Sequence, residues 1–360
     1  MKLFQCSNCN HTVVFENNTC VSCGHYLGYS SYYNQIVSLN HNLQEWNLQE
    51  LAGTTYKYCA NNSHGTCNWL VKNEQSSEFC LACSLNRTIP DLSDDQNFER
   101  WRRIEYAKHR LVYQLLRLRL PVVSKTEDPQ SGLSFDFLSQ ADLDHASKGV
   151  KTGHANGVIT ILISEADAVI REQIKQQMEE RYRTLLGHFR HEVGHYFWDR
   201  LIRDDFQNLQ NFRNVFGDET YSYADALSNY YSNGPQLNWQ STYISKYASS
   251  HAWEDWAETW SHYLHLMDAL ETAYNFGLQI NPKLVGENKL GMNATFDPYL
   301  ETDFKVILDS GIPLLYAMNS MNRSMGESDP YPFVISEPVK NKLEFIHNLL
   351  WKSRTGIYPV

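Results

Sequence analysis

The chain has 360 residues, 42% of them hydrophobic and 13% aromatic, which is enough for two or three domains with buried cores and unlike a disordered chain. Its 31 basic and 41 acidic residues leave a formal net charge of −10, which argues against nucleic acid as the main partner, because phosphate binding needs a basic surface. No apolar run reaches the roughly 18 to 20 residues that span a bilayer, and Met1-Lys2-Leu3-Phe4-Gln5 opens no hydrophobic signal core. No membrane partner is expected, and the expected location is the cytoplasm. In that reducing compartment the eight cysteines read as metal ligands, not as disulfides.

Cys6-x-x-Cys9 and Cys20-x-x-Cys23 come first. Each C-x-x-C is a tight turn that aims two sulfurs at one ion, and two such turns complete a tetrahedral four-thiolate zinc site. Val13-Val14-Phe15 between them suits a short strand, and Gly24 suits a left-handed turn. Cys59, Cys67, Cys80 and Cys83 form the second cluster, with His64 as the alternative ligand in place of Cys59 or Cys67. In the four-cysteine reading all eight cysteines are used, four per site. Both sites are expected to be closed and structural, since small ribbons rarely fold without metal. A protein partner, if the chain has one, would bind here.

Asp91 to Leu120 reads as a long helix, capped by Ser93 or Asp94 and ended by Pro121. Trp101, Ile104, Ala107, Leu111, Leu115 and Leu118 recur at three or four residues and mark its buried face. Arg100, Arg102, Arg103, Lys108, Arg110, Arg117 and Arg119 read as a solvated flank. Leu133 to Leu138 and the β-branched Gly157 to Ile163 read as strands. Helices are expected at Glu165 to Arg181 and Tyr182 to Arg203.

The second of these helices carries His191-Glu192-Val193-Gly194-His195, an H-E-x-x-H sequence. Residues four apart on a helix lie one above the other, so His191 and His195 can hold one metal, and Glu192 is placed as general base and acid. Two strands followed by such a helix is the order of a zincin, in which an edge strand pairs with an extended peptide. Gly157, Val158, Ile159, Thr160 and Ile161 are the candidates for that edge. His188, on the same helix face, reads as a core or pocket histidine.

A catalytic zinc needs a third protein ligand. Trp198 and Leu201 stand where a metzincin would have Gly and His, and no aspartate of the aspzincin kind follows. His251-Ala252-Trp253-Glu254-Asp255-Trp256-Ala257-Glu258-Thr259-Trp260-Ser261-His262 offers Glu254, Glu258 and His262 on one helical face. Glu254 is the expected ligand, as in gluzincins, with Glu258 orienting a ligand histidine from behind; Glu258, His251 and His262 are alternative ligands. Tyr221, Tyr223 and His262 are candidates to stabilise an oxyanion. Beyond Thr272, helices are expected at Asp303 to Met318 and Val339 to Trp351, with a loop from Asn319 to Pro332.

These motifs resemble one family, the zinc-binding metallopeptidases with an N-terminal zinc ribbon. The resemblance rests on Cys6-x-x-Cys9, Tyr58-Cys59-Ala60-Asn61, Cys67-Asn68-Trp69-Leu70, Cys80-Leu81-Ala82-Cys83, Leu85 to Leu92, Thr152-Gly153-His154, Arg190 to Tyr196 and Trp253 to Thr259. It implies a mostly helical zincin-type domain with bound zinc. The expected fold class is thus α+β, predominantly helical: a zinc ribbon over 1–30, a second cysteine-rich zinc module over 31–90, a linking helix over 91–125 and a zincin-like metallopeptidase domain over 126–360. The expected function is zinc-dependent hydrolysis of a peptide or protein substrate, with three zinc ions, one catalytic and two structural. The alternative is a zinc-ribbon interaction module with a catalytically silent zincin-like domain.

Overall fold

The computed structural model describes residues 2–39, 46–47, 55–140, 142, 152–177, 184–283 and 290–354. They fall into two compact units, 2–168 and 169–354. The expected boundaries near residues 90 and 125 do not separate these units, because the long helix and the strands after it pack with the cysteine clusters. Among the described residues no helix is long and apolar enough to cross a membrane.

The first unit opens with β1 (Phe4–Gln5) and β2 (Thr12–Val13), paired antiparallel. Each C-x-x-C turn closes in the same way: Asn10 N donates to Cys6 O and Gly24 N to Cys20 O. Asn10 and Gly24 both adopt positive φ, at 57° and 74°. The hairpin β3 (Tyr26–Ser30)–β4 (Gln35–Leu39) follows, then β5 (Trp46–Asn47), β6 (Thr55–Tyr58) and β7 (Leu70–Lys72) in one antiparallel sheet. The two cysteine segments share one core. Phe15, Tyr29 and Trp69 pack ring against ring at 4.9 Å and 4.6 Å, and Asn68 Nδ2 donates to Phe15 O at 2.7 Å.

Helix α1 (Asp95–Arg117) adds Tyr113 to that aromatic core, 5.2 Å from Phe15. Asp94, one of the two expected caps, accepts from the amides of Gln96 and Asn97. All six residues of the expected apolar face are buried, but so are Glu105, Lys108 and His109. Lys108 is therefore not part of a solvated flank. It is fully buried, and both Glu105 oxygens accept from its ammonium at 2.8 Å and 2.9 Å. Arg100, Arg102 and Arg110 pair with Asp167, Glu99 and Glu16, which removes a free basic face from this helix.

The sheet beside α1 has the order β10-β11-β9-β8: Gly153–Ala155, Val158–Leu162, Ser134–Leu138 and Asn86–Thr88. The strand beginning after Gly157 is not an edge. β11 runs parallel to β9 on one side, and β10 pairs antiparallel on its other side through Gly153↔Thr160 and Ala155↔Val158. The substrate-edge role expected of Gly157, Val158, Ile159, Thr160 and Ile161 is corrected accordingly, and β10 holds the outer position. The hairpin between them turns at Asn156 and Gly157, both at positive φ, 50° and 78°, the Asn-Gly pattern of a two-residue turn. A Cβ on Gly157 would lie 2.2 Å from Gly132 O.

The second unit is helical, led by α2 (Ala168–Gln177), beyond which the rest of the expected Glu165 to Arg181 helix lies outside the described residues. It continues with α3 (Leu185–Leu201), α4 (Phe206–Phe216), α5 (Tyr223–Asn233), α6 (Ala252–Phe276), α7 (Phe304–Ser324) and α8 (Glu337–Ser353). The short pair β12 (Gln279–Ile280) and β13 (Met292–Asn293) lies between α6 and α7. α7 runs through Asn319 to Ser324, so the expected loop from Asn319 is shorter at its start; Asp303 caps the helix and Pro313 is carried inside it.

α3 and α6 form the core. Phe197 stacks on Trp260 at 5.1 Å, and Trp256 Nε1 donates to Gly194 O at 2.8 Å. Gly194 is where the helices touch: a Cβ there would meet Ala257 Cα at 3.1 Å and the Trp260 ring at 3.2 Å. Gly194→Ala is expected to destabilise the chain, because overpacking against a backbone atom and a fixed indole costs about 1–3 kcal/mol. That outweighs a helix-propensity gain of at most about 1 kcal/mol. A thermal unfolding midpoint at or above that of the wild type would contradict this reading of the crossing.

Candidate metal centre and cysteine sites

The helix crossing at Gly194 sets the site. Thr184 caps α3, its hydroxyl accepting from Gly187 N at 2.9 Å, and the helix then presents His191 and His195 one turn apart. α6 brings Glu254 to them from its first turn. Glu254 Oε2 lies 3.0 Å from His191 Nε2 and 3.6 Å from His195 Nε2, and the two imidazole nitrogens are 3.2 Å apart. Ligand atoms about 2.0–2.1 Å from a tetrahedral zinc are separated by roughly 3.3–3.4 Å, so the three atoms have the spacing of ligands to one ion.

The chemistry of the donor set agrees. His191 Nδ1 donates to Glu258 Oε1 at 2.7 Å, which leaves Nε2 as the lone-pair nitrogen facing Glu254 and His195. Glu258 Oε2 accepts from Ser245 Oγ at 2.6 Å, so this carboxylate is itself held. Glu254 is 1% exposed, and its Oε2 accepts no hydrogen bond of regular geometry. Its other oxygen accepts from Tyr223 OH at 2.6 Å. Burial raises the Glu254 pKa, but the imidazoles of His195 and His191 hold it well below the usual carboxylate range. A buried carboxylate oxygen beside two imidazole nitrogens, with no proton donor of its own, is a fitting place for a cation.

Glu192 stands next to this cluster. Its Oε1 accepts from His188 Nε2 at 3.1 Å, while its Oε2 is buried without a hydrogen-bond partner. Burial pushes its pKa up, and the bond and charge of His188 together with His191 and His195 bring it down to about 2. His188 is thus a pocket histidine that holds Glu192 in place.

The alternative ligands are engaged elsewhere. His251 is the cap of α6: its Nδ1 accepts from Trp253 N at 3.1 Å and its Nε2 donates to Tyr221 O at 3.1 Å. His262 Nδ1 is 2.8 Å from Tyr331 OH, and the ring meets Phe333 edge-on at 4.2 Å. Burial depresses its pKa to about 4. Of the oxyanion candidates, Tyr221 is 71% exposed, His262 is walled in by the segment after α7, and Tyr223 reaches the cluster. Tyr247 stands behind Tyr223. The Tyr247 ring lies 6.0 Å from that of His191. Ser245 and Tyr247 come from an irregular stretch before α6 whose only local signal is a short turn at Tyr247–Ser249.

The cysteines gather as two fours, Cys6-Cys9-Cys20-Cys23 and Cys59-Cys67-Cys80-Cys83, and none is disulfide-bonded. Sulfur separations of 3.7 Å, 3.6 Å and 3.7 Å for Cys6–Cys23, Cys9–Cys20 and Cys67–Cys80 match the roughly 3.8 Å edge of a tetrahedral zinc–thiolate site. His64 is exposed and lies outside the second four, packed by its ring near Phe98 and Trp101, so the all-cysteine set replaces the His64 alternative.

Comparison with known proteins agrees with this chemistry. Residues 3–94 match a zinc-ribbon domain model. The chain is 41% identical over 351 residues to an uncharacterised protein of Mycobacterium bovis and to uncharacterised proteins of two strains of Mycobacterium tuberculosis, covering 97% of this chain and 95% of each relative. No solved structure matches. Residues 97–349, which hold both α3 and α6, match the family model described as "Putative zinc-binding metallo-peptidase", and the chain belongs to that family.

Proposed function

We propose that the chain is a zinc metallopeptidase with a zincin-like catalytic domain, acting in the cytoplasm on a peptide or protein substrate. The observation that carries this reading is Glu192, a buried, ionised carboxylate with one oxygen held by His188 and the other unpartnered beside His191, His195 and Glu254. A metal held only for structure has no use for such a group.

His191, His195 and Glu254 would hold the zinc, leaving one position open. A zinc bound there supplies Lewis acidity, lowering the pKa of a water to near 7 and polarising a carbonyl. Glu192 then serves as the base that takes the proton of the attacking water and returns it to the leaving amine. Glu258, backed by Ser245, keeps the His191 tautomer that leaves Nε2 free. Tyr223, which donates to Glu254 Oε1, keeps the other Glu254 oxygen turned toward the imidazoles. The four-cysteine sites offer no open position, and their role is structural.

Metal analysis tests the site assignment. The purified chain is expected to hold three zinc ions, and Glu254→Gln or His195→Ala to lose one of them while both cysteine sites stay filled. A wild-type content of two, or a full content in both variants, would remove the assignment. Screening the zinc-loaded wild type against a peptide library tests the activity. Binding of a partner by residues 1–88 with no cleavage of any library peptide would favour the interaction-module reading instead.

A further inference from the structure

Helix α5 stands beside His191, His195 and Glu254 and buries nothing. It has eleven residues, as does α4, but α4 buries Phe212 and Phe216 while no residue of α5 is buried. Its sequence nevertheless has the spacing of a packed helix. Tyr223, Ala226, Leu227 and Tyr230 stand at i, i+3, i+4 and i+7, the stripe that a surface helix ordinarily presses against a core. Ala226, Leu227 and Tyr230 are half-buried and Tyr223 is 36% exposed, whereas the remaining residues of the helix are exposed. The stripe is turned inward without being covered. Both ends of the segment are fixed, so this is not a frayed helix. Ahead of it, Arg213 donates to both Glu219 oxygens at 2.9 Å and 2.5 Å, and Tyr221 O accepts from His251. Behind it, Gln236 Nε2 donates to Ser249 O at 3.0 Å.

The two ends of the stripe touch the candidate centre. Tyr223 OH donates to Glu254 Oε1 at 2.6 Å. The Tyr230 ring lies 5.8 Å from that of Tyr247, which in turn lies 6.0 Å from that of His191. Tyr223 and Tyr230 are seven residues apart, which is about 10 Å of helix and the length of about three residues of extended peptide. The side chains of His191 and His195 keep 13% and 17% of their surface exposed, so the centre too is open to solvent. Between the end contacts lie Ala226 and Leu227, whose side chains can neither donate nor accept a hydrogen bond. A group resting on them is stabilised by leaving water and in no other way. Asp225, the one charged residue of α5, lies off the stripe and is exposed.

We propose that the stripe of Tyr223, Ala226, Leu227 and Tyr230 is the apolar wall of the substrate cleft, that it takes an uncharged, leucine-like side chain next to the scissile bond, and that Leu227 sets this preference. The inference rests on the metallopeptidase reading and adds a substrate class to it. The occupant follows from position: the stripe is continuous with the centre where a peptide carbonyl would be attacked, and its uncovered length matches a short extended segment on either side of that carbonyl.

The test measures binding, not turnover, by calorimetry on the full-length, zinc-loaded chain. Two hydroxamates place leucine on opposite sides of the metal-binding group: N-acetyl-leucine hydroxamate and the malonyl hydroxamate of leucine amide. Each is compared with its glycine counterpart. In at least one pair the leucine compound is expected to bind at least about tenfold more tightly, the effect of taking an aliphatic side chain out of water. Leu227→Asp puts a charge on the stripe and is expected to bring that ratio to within about twofold, while the glycine compound, which reports the fold and the metal, binds as before. Ser228→Asp adds the same charge at the exposed neighbouring position and should keep the ratio. Equal affinities within both pairs, a ratio that survives Leu227→Asp, or a ratio lost equally in Ser228→Asp would overturn the proposal and leave the metallopeptidase reading standing. Failure of all four compounds to bind would remove that reading and the proposal with it. Sedimentation of the wild type and of Leu227→Asp covers the other occupant: a dimer that this substitution dissociates would assign the stripe to a second copy of the chain and overturn the substrate role.

Discussion

Glu192→Gln is expected to lower kcat by at least about 10²–10⁴-fold, the usual contribution of a positioned general acid–base group, while the zinc content stays that of the wild type. The amide is close to the same size, so the packing between α3 and α6 should stand. What is lost is the charge and the proton capacity of the one buried carboxylate oxygen that lacks a hydrogen-bond partner in this cluster besides that of Glu254. The variant separates chemistry from metal binding: full zinc with full activity would remove Glu192 from the mechanism. A companion change reads the environment of the group. His188 is a main reason the Glu192 pKa sits at about 2 despite burial. In His188→Phe, burial acts with less opposition and the Glu192 pKa must rise. The acid limb of the kcat/KM profile should then move to higher pH, with a smaller loss at pH 8 than at pH 5. An acid limb that stays put would show that Glu192 does not govern it.

The residues of this site differed in how plainly the sequence displayed them, and the reasons are physical. His191, Glu192 and His195 are legible because helix geometry alone places residues four apart together. Glu254 and Glu258 are legible because carboxylates spaced four apart on an indole-rich, buried helix need partners. His188, Ser245 and Tyr247 act through contacts that close only after α3, α6 and the turn before α6 have packed, and no periodicity announces them. Lys108 reads as solvated because lysines nearly always are; the sign against it is Glu105 three residues earlier, which is a common surface pairing and so carries little weight by itself. The strand after Gly157 reads as an edge because its covering neighbour is only three residues long and includes Gly153 and Ala155, residues with weak strand preference. The unit boundary is hidden for a related reason. Nothing in the spacing of cysteines tells that Trp69 and Tyr29 share a core with Phe15 and that Tyr113 of α1 joins it.

The largest stability effect is expected at a pair behind the metal centre. Asp255, the residue after Glu254, is 0% exposed, and Lys342 of α8 is 3% exposed. Their charged atoms are 2.7 Å apart, and Lys342 also donates to Thr242 O at 2.8 Å and lies 4.3 Å over the Tyr243 ring. Removing one partner of such a pair leaves a buried charge unanswered and costs about 3–5 kcal/mol, so Lys342→Met should lower the urea midpoint sharply. The pH dependence gives the effect its signature. Burial raises the Asp255 pKa, Lys342 pulls it back, and it comes to about 7, above the ordinary carboxylate value. A group raised in the folded state stabilises fully below its unfolded pKa and loses that contribution as pH rises through the folded one. In the wild type the loss runs from about pH 4 to about pH 7. Without Lys342 the folded pKa moves higher and the loss continues beyond pH 7, so the gap between variant and wild type must widen from pH 6 to pH 9. A gap that is constant or shrinks over that range would contradict the assignment of a buried, opposed pair. Asp255→Asn combined with Lys342→Met removes both charges and should recover most of the stability. Its stability should also no longer fall relative to the wild type as pH rises, whereas simple loss of packing at Lys342 would leave a gap that does not change with pH. Because Asp255 lies in the first turn of α6 beside Glu254, the single variant should also weaken zinc at His191, His195 and Glu254 while leaving both cysteine sites filled: the pair holds the helix end from which the third ligand is presented.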